Sequence, residues 1–188
     1  MLSVIIVTDG REPPVVATLA ALIAAATSGL VRDVVLVDAG ETDVIARVAD
    51  VAGCDFVACP GPRAAALAAG VRQARSPWLM FLPTGAVPDA NWIDEVTQFI
   101  LRTTGAAPRA AIFRRARSPY DDDTLRARLS FALRRLSGPQ PDQGLVIERR
   151  HFERLGGYPA DQPDAERRLL RRLGRARHLL RSAITVST

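Results

Sequence analysis

The sequence predicts an α/β fold with a mostly parallel central sheet and helices on both faces. Three observations predict it. Strand-like and helix-like segments alternate β-α-β-α through the first half of the chain. The uninterrupted apolar run Val34-Val35-Leu36-Val37 ends in Asp38, turns at Gly40 and leads into a helical pattern, which is how a strand buried on both faces feeds a crossover helix. The chain has 188 residues, 48% of them hydrophobic and 24% charged, a balance that supports a core of ordinary domain size.

Residues 2–8 read as a strand that starts almost at the first residue. A helix follows over 13–28, its two prolines tolerated in the first turn. From Pro13 to Val31 there is no charge, which raises the question of a membrane span. Alanine is its commonest residue, six of 19, it includes Thr18, Thr27, Ser28 and Gly29, and it lies where a crossover helix belongs, so a buried helix is expected. A second strand is expected over 34–38, a second helix over 42–51 and a short third strand over 55–59. Pro60-Gly61-Pro62 breaks the chain before an alanine-rich helix over 63–75. A fourth strand over 78–82 runs into a loop over 83–88, and Asp89 is expected to cap a helix reaching Leu101.

The second half is less regular. Residues 109–115 alternate as a strand does. Asp121-Asp122-Asp123 opens a helical pattern over 121–136 that Ser137-Gly138-Pro139 closes. A strand is expected over 144–147 and a short helix over 149–155, ended by Gly156-Gly157. A further helix over 164–173 stops at Gly174, and 176–187 ends the chain as an extended edge. No repeat or linker divides the sequence, so one domain over 1–188 is expected.

The net charge is +5 and the isoelectric point about 10.4. All 25 basic residues are arginine, a side chain suited to bidentate contact with phosphate and carboxylate. Aromatic residues make up only 5%, which argues against stacking platforms for single-stranded nucleic acid. Cys54 and Cys59 are too few for a structural zinc site and read as small residues packed beside a strand. No signal segment precedes the first strand, so a cytoplasmic protein is expected. There is no P-loop, no Gly-x-Gly-x-x-Gly and no nucleophile elbow. His151 and His178 have no partners at metal or triad spacing.

Ligands of open α/β sheets bind beyond the carboxyl ends of the strands, and Asp38 stands at such an end. It suits a sugar hydroxyl or a base N–H; a solvated turn acid is the plainer reading. The ordered series around it resembles the family 2 glycosyltransferases. It comprises Ser3-Val4-Ile5-Ile6-Val7-Thr8, Val37-Asp38-Ala39-Gly40-Glu41-Thr42-Asp43, and Phe81-Leu82 with Pro88 and Trp92. It continues with Asp142-Gln143-Gly144-Leu145-Val146-Ile147, Phe152-Glu153-Arg154-Leu155-Gly156-Gly157-Tyr158-Pro159 and Arg171-Arg172-Leu173-Gly174-Arg175. The second group resembles a bacterial subgroup of small enzymes.

The resemblance implies a GT-A fold, a Rossmann-like nucleotide-binding sandwich, with a nucleotide-binding half over 1–103 and an acceptor-side half over 104–188. It implies a nucleotide-diphosphate sugar as donor, with Thr8, Asp38, Gly40 and Arg63 about the nucleotide. Ala39 and Glu41 stand where the family often has a second acid and a serine.

Two departures bear on chemistry. The family places Asp-x-Asp at the end of the fourth strand, where a carboxylate holds Mn²⁺ or Mg²⁺ on the donor diphosphate. Here the matching residues are Pro83-Thr84-Gly85, so the metal site is absent in the form the family builds it. Asp121 to Asp123 is a carboxylate cluster already explained as a helix start. Arginine is the alternative cation for the diphosphate, with Arg11, Arg63, Arg149 and Arg150 as candidates. The family also carries Glu-Asp before the Arg-Arg-Leu-Gly-Arg stretch, where a carboxylate takes the acceptor's proton. Here Asp164 is the candidate general base, with a helix cap as its other role.

The basic stretch Arg167 to Arg175 reads either as a solvated helix face or as a peripheral contact with anionic lipid. Two functions follow. One is a metal-independent glycosyltransferase acting on an unspecified acceptor. The other is a catalytically degenerate GT-A-fold protein that binds a nucleotide, a sugar or a protein partner. Nucleic acid is not an expected partner, since charge alone would support it.

Overall fold

The computed structural model describes residues 1–40, 43–116 and 140–186 of the chain. Its first strand, β1 (Leu2–Thr8), is buried at every position. Because side chains alternate across a strand, β1 supplies two cores. Leu2, Val4 and Ile6 enter one, Ile5 and Val7 the other. The first core is covered by α1 (Glu12–Thr27), α2 (Val44–Ala52) and α4 (Trp92–Thr103). The second is covered by α3 (Arg63–Gln73), α5 (Arg149–Arg154) and α6 (Ala165–Leu173).

The remaining strands are β2 (Val31–Asp38), β3 (Asp55–Ala58), β4 (Trp78–Pro83), β5 (Ala86–Pro88), β6 (Ala110–Arg115), β7 (Leu145–Glu148) and β8 (Arg177–Val186). The sheet has the order β3-β2-β1-β4-β7-β6-β8-β5. Strands β1, β2, β3, β4, β6 and β8 run one way, and β5 and β7 the other. This is the mostly parallel, doubly covered sheet that the sequence predicts. The carboxyl ends of β2, β1, β4 and β6 therefore open on one edge, with the turn that enters β7 between the last two.

Several boundaries differ for identifiable reasons. Strand β2 begins at Val31, because Asp33, a charged residue inside a strand, is buried and accepts hydrogen bonds from Ser3 Oγ, Ser76 Oγ and the Arg75 N–H. The expected loop 83–88 contains β5, which pairs antiparallel with β8. Asp89 does not cap α4; Asn91 holds that position, and Asp89 instead accepts N–H bonds from Asn91 and Ala183. Helix α1 is buried on one face only, with Val16 and Ile23 exposed. No described helix is long and apolar enough to cross a membrane. The helix expected over 121–136, including Asp121 to Asp123, lies outside the described residues.

The final segment is not an edge over its whole length. It is β8, flanked by β6 and, over Ile184 to Val186, by β5. Opposite β6 it carries two extra residues: Ile112 faces Leu179 and Arg114 faces Ala183. Such a bulge frees backbone N–H groups, and Glu95 of α4 takes them up. Its carboxylate accepts from Arg181 N at 2.7 Å and from Ser182 N at 2.7 Å. Burial pushes the Glu95 pKa up, but these N–H groups and His178 outweigh it and hold it below the ordinary 4.5.

A depressed carboxylate pKa stabilises the fold above the unfolded value, and that contribution is lost as pH falls through the folded value. Glu95→Gln is therefore expected to cost about 1 kcal/mol at pH 7, after allowance for partial exposure. The deficit against the parent shrinks as the medium is acidified below 4.5. Urea midpoints at neutral and acid pH check this, and a deficit that does not change with pH rules the ionised clamp out.

Candidate functional site at the carboxyl edge of the sheet

Strands β1 and β2 end side by side, with Thr8 opposite Asp38. Both side chains are buried, at 3% and 2% exposure, which is unusual for an acid at a strand end. Asp38 Oδ1 accepts the Gly40 N–H at 3.0 Å, so the acid folds the turn that follows it. Thr8 Oγ1 accepts the Gly10 N–H at 3.2 Å, and the Ala39 N–H donates to the Thr8 carbonyl at 3.0 Å. The two turns meet closely. A Cβ on Gly40 would stand 3.2 Å from Asp38 Oδ1 and 3.3 Å from the Gly10 Cα. The structure thus brings Thr8, Asp38 and Gly40 together and adds Gly10, which sequence reasoning missed although its φ of 87° requires glycine. Glu41 and Thr42 lie outside the described residues.

Strand β4 ends beside β1 at Pro83. Neither Pro83 nor Gly85 offers a side-chain oxygen. The Thr84 hydroxyl donates to the Val7 carbonyl at 2.8 Å, and the Gly85 N–H donates to the Pro14 carbonyl at 3.2 Å. The loop is thus tied to the end of β1 and the start of α1. Its donor set does not fit a divalent cation, which requires several oxygen ligands. Among the described residues, no group of three or more His, Cys, Asp or Glu is arranged to hold a metal.

Arg63 opens α3 beyond the carboxyl end of β3. Its guanidinium lies side-on to Glu166 of α6, with Nε to Oε2 at 2.9 Å and Nη2 to Oε1 at 3.4 Å. Glu166 had no assigned role in the sequence, because only the fold brings these two helix starts together. Behind the pair, Phe81, Phe152 and Tyr158 pack with ring centroids 5.0–5.4 Å apart. Burial, and then the Glu166 charge, push the Tyr158 hydroxyl well above its ordinary pKa, Arg63 opposing. Asp164 sits at the N-cap position of α6 without capping it, and pairs with Arg168 at 3.0 Å.

The other arginines separate clearly. Arg11 precedes α1 and pairs with Asp9 in the open. Arg149 and Arg150 follow β7, which runs against β4, so they lie at the opposite end of the sheet from Asp38. The Arg149 guanidinium donates to the carbonyls of Val71, Ala74 and Ser76 and so closes the C-terminal end of α3. That removes both from the candidates for the diphosphate. At the carboxyl edge, Arg115 at the end of β6 is ion-paired with Asp142 in the turn Pro141–Gln143.

His151 is buried on α5, and His178 stacks on Phe99 with centroids 5.7 Å apart; neither joins the row at the carboxyl edge. Cys54 and Cys59 are free, half-buried thiols. On α6, Leu169, Leu170 and Leu173 are buried and Arg167, Arg168, Arg171 and Arg172 are exposed.

A profile described as Glycosyl transferase family 2 matches residues 3–148. No curated protein sequence matches the chain. Among solved structures, it superposes on a mannosyltransferase from Pyrobaculum calidifontis in complex with GDP-Man and Mn²⁺ with a TM-score of 0.66 and 17% identity, covering 95% of this chain and 53% of that one. S. aureus TarS 1–349 gives a TM-score of 0.67 at 12% identity, covering 99% and 58%. Glucosyl-3-phosphoglycerate synthase from Mycobacterium tuberculosis, in complex with Mn²⁺, UDP and glucosyl-3-phosphoglycerate, gives 0.62 at 18%, covering 95% and 68%. At these identities the likeness is one of fold, and the chain spans little more than half the length of the first two.

Proposed function

This chain belongs to glycosyl transferase family 2 and has the GT-A fold, and from that premise we propose that it transfers a sugar from a nucleotide-diphosphate donor to an acceptor without the family's usual metal site. The observation that carries the proposal is the buried carboxylate of Asp38 at the carboxyl end of β2. A carboxylate has roughly four acceptor positions, and the Gly40 N–H occupies one. In this reading Asp38 receives a ribose hydroxyl or a base N–H, with Thr8 and the Gly10 and Gly40 turns forming the floor. In the same reading Arg63, paired with Glu166 at the start of α3, turns towards the donor. The exposed arginines of α6, from Arg167 onward, form the surface that meets an anionic lipid or another polyanionic acceptor. Cytoplasmic placement belongs to the same proposal.

A second reading is favoured by one specific observation. Pro83 and Gly85 remove both oxygens that would hold a cation, which suits a protein that kept the fold and the nucleotide floor but lost turnover.

Calorimetric titration with UDP and GDP, with and without manganese, tests the first reading. Metal-independent binding is expected. Asp38→Ala should weaken it by roughly 10- to 100-fold, the worth of one or two hydrogen bonds to a charged group. Binding that appears only with manganese counts against the metal-free proposal. An absence of binding under either condition transfers the weight to the degenerate reading.

A further inference from the structure

Accepting the glycosyl-transfer reading above, on which the inference rests, we propose that Asp142, and not Asp164, is the catalytic base, and that Arg115 supplies the cation for the leaving diphosphate. In the triplet Asp142-Gln143-Gly144, Gln143 and Gly144 fix the turn in place. The Gln143 side chain accepts the Gln140 N–H at 2.7 Å and donates to the Phe113 carbonyl at 3.3 Å, pinning the turn to β6. Gly144 has φ of 72°, and a Cβ there would stand 3.1 Å from Phe113 Cδ2 and 3.2 Å from Leu82 Cδ2. The turn is therefore pressed against the last residues of β4. Asp142 Oδ2 pairs with Arg115. Asp142 Oδ1 is shut off from solvent and has no hydrogen-bond partner among the described residues.

A buried carboxylate oxygen without a donor is costly. The cost is removed when the Asp142 side chain, 37% exposed, turns this oxygen towards a donor such as a substrate hydroxyl. Asp164 has no buried oxygen of this kind: its Oδ1 pairs with Arg168 at 3.0 Å and its side chain is 42% exposed to water.

Position supports the assignment. Leu145, the first residue of β7, pairs with Phe81 of β4 and Ile112 of β6. Asp142 thus lies beyond the end of β4, beside Pro83. Arg115 closes the neighbouring β6. From Asp38 on β2, across β1 and β4, to the β7 entry is three strand spacings, about 15 Å. A donor with its nucleoside on Asp38 and its diphosphate across β1 and β4 would bring its sugar to this turn.

The acceptor hydroxyl gives its proton to Asp142 Oδ1, and its oxygen bonds to the anomeric carbon. The bond from that carbon to the phosphate oxygen breaks, and the electron pair leaves with the nucleoside diphosphate. Arg115 meets the added negative charge, which is the service a metal would otherwise provide.

The test follows UDP or GDP release from a panel of UDP- and GDP-sugars with water as acceptor, beside calorimetry with UDP and GDP alone. Asp142→Asn should lower kcat by about 10²- to 10⁴-fold, abolish the acid limb of the pH profile and leave the nucleotide Kd within roughly threefold. Arg115→Gln should lower kcat and also weaken UDP or GDP, and Arg115→Lys should recover part of both. If Asp142→Asn fails to fold because Arg115 has lost its counter-charge, the neutral pair Asp142→Asn with Arg115→Gln takes its place. An Asp142→Asn protein that turns over within threefold of the parent, or a loss confined to Asp164→Asn, overturns the assignment. So does a parent that binds nucleotide yet releases none from any donor. A parent that binds no nucleotide at all brings down the underlying reading first.

Discussion

Asp33→Ala is expected to lower the free energy of unfolding by about 3 kcal/mol, a large share of the 5–15 kcal/mol typical of a domain. The acid is 7% exposed in the second strand. Its Oδ1 accepts from Ser3 Oγ at 2.9 Å and from Ser76 Oγ at 3.3 Å, and its Oδ2 accepts the Arg75 N–H at 3.3 Å. Two adjacent strands and the connection from α3 to β4 are therefore joined through one carboxylate. Truncation leaves both hydroxyls without an acceptor in a buried place, at about 1–3 kcal/mol each before relaxation. The Arg75 N–H suffers less, because it also reaches Ser3 Oγ at 3.2 Å.

Asp33→Asn keeps the oxygen that serves the hydroxyls and turns an amide towards the Arg75 N–H, so a smaller loss of about 1 kcal/mol is expected. Urea unfolding of the parent and the two variants gives the order. Combining Asp33→Ala with Ser3→Ala should cost less than the sum, since both remove the same bond. Full additivity, or a loss below 1 kcal/mol for Asp33→Ala, means that the network does not hold these elements together.

Asp33 also marks where the sequence stopped being legible. An acid two residues into an apolar strand looks like the turn before it, so the strand was expected to start at Val34. Only the tertiary partners Ser3 and Ser76, distant in sequence, make a charge at 33 tolerable. The same limit governs the site. Thr8, Asp38 and Gly40 were readable because local geometry unites them: two neighbouring strands end and each turns at once. Arg63 was readable as a position, but its partner Glu166 lies 103 residues away. Arg149 stands among the four candidate cations for the diphosphate because direction is invisible in a strand pattern. An antiparallel β7 sends whatever follows it to the wrong end of the sheet. The short β5 escaped notice for another reason: three residues between Gly85 and Asp89 carry no periodicity, and only their pairing with β8 defines them.

Gly70 is where the second large effect is expected. Alanine replacing glycine inside an exposed helix stabilises by about 1 kcal/mol; here the sign should reverse. A Cβ at Gly70 would stand 2.5 Å from Ile5 Cγ2 and 3.0 Å from Val37 Cγ2. Those atoms belong to the neighbouring strands β1 and β2, which cannot give way separately, because they are paired along their length. Helix α3 must lift. Overpacking of this kind costs about 1–3 kcal/mol, occasionally more. Gly70→Ala should therefore lose about 1 kcal/mol net, and Gly70→Leu more than 3 kcal/mol, or fail to fold.

The contact itself can be isolated. Ile5→Ala removes the offending Cγ2 at a cost of about 2–5 kcal/mol. In that background Gly70→Ala should turn neutral or stabilising, a coupling of about 1–2 kcal/mol. Lifting α3 also displaces Arg63 at its first turn and strains the pair with Glu166. Gly70→Ala should therefore weaken UDP or GDP along with stability, although residue 70 stands two helical turns from that arginine. Nucleotide affinity unchanged in a destabilised Gly70→Ala protein would separate α3 packing from the carboxyl-edge site and remove Arg63 from its border.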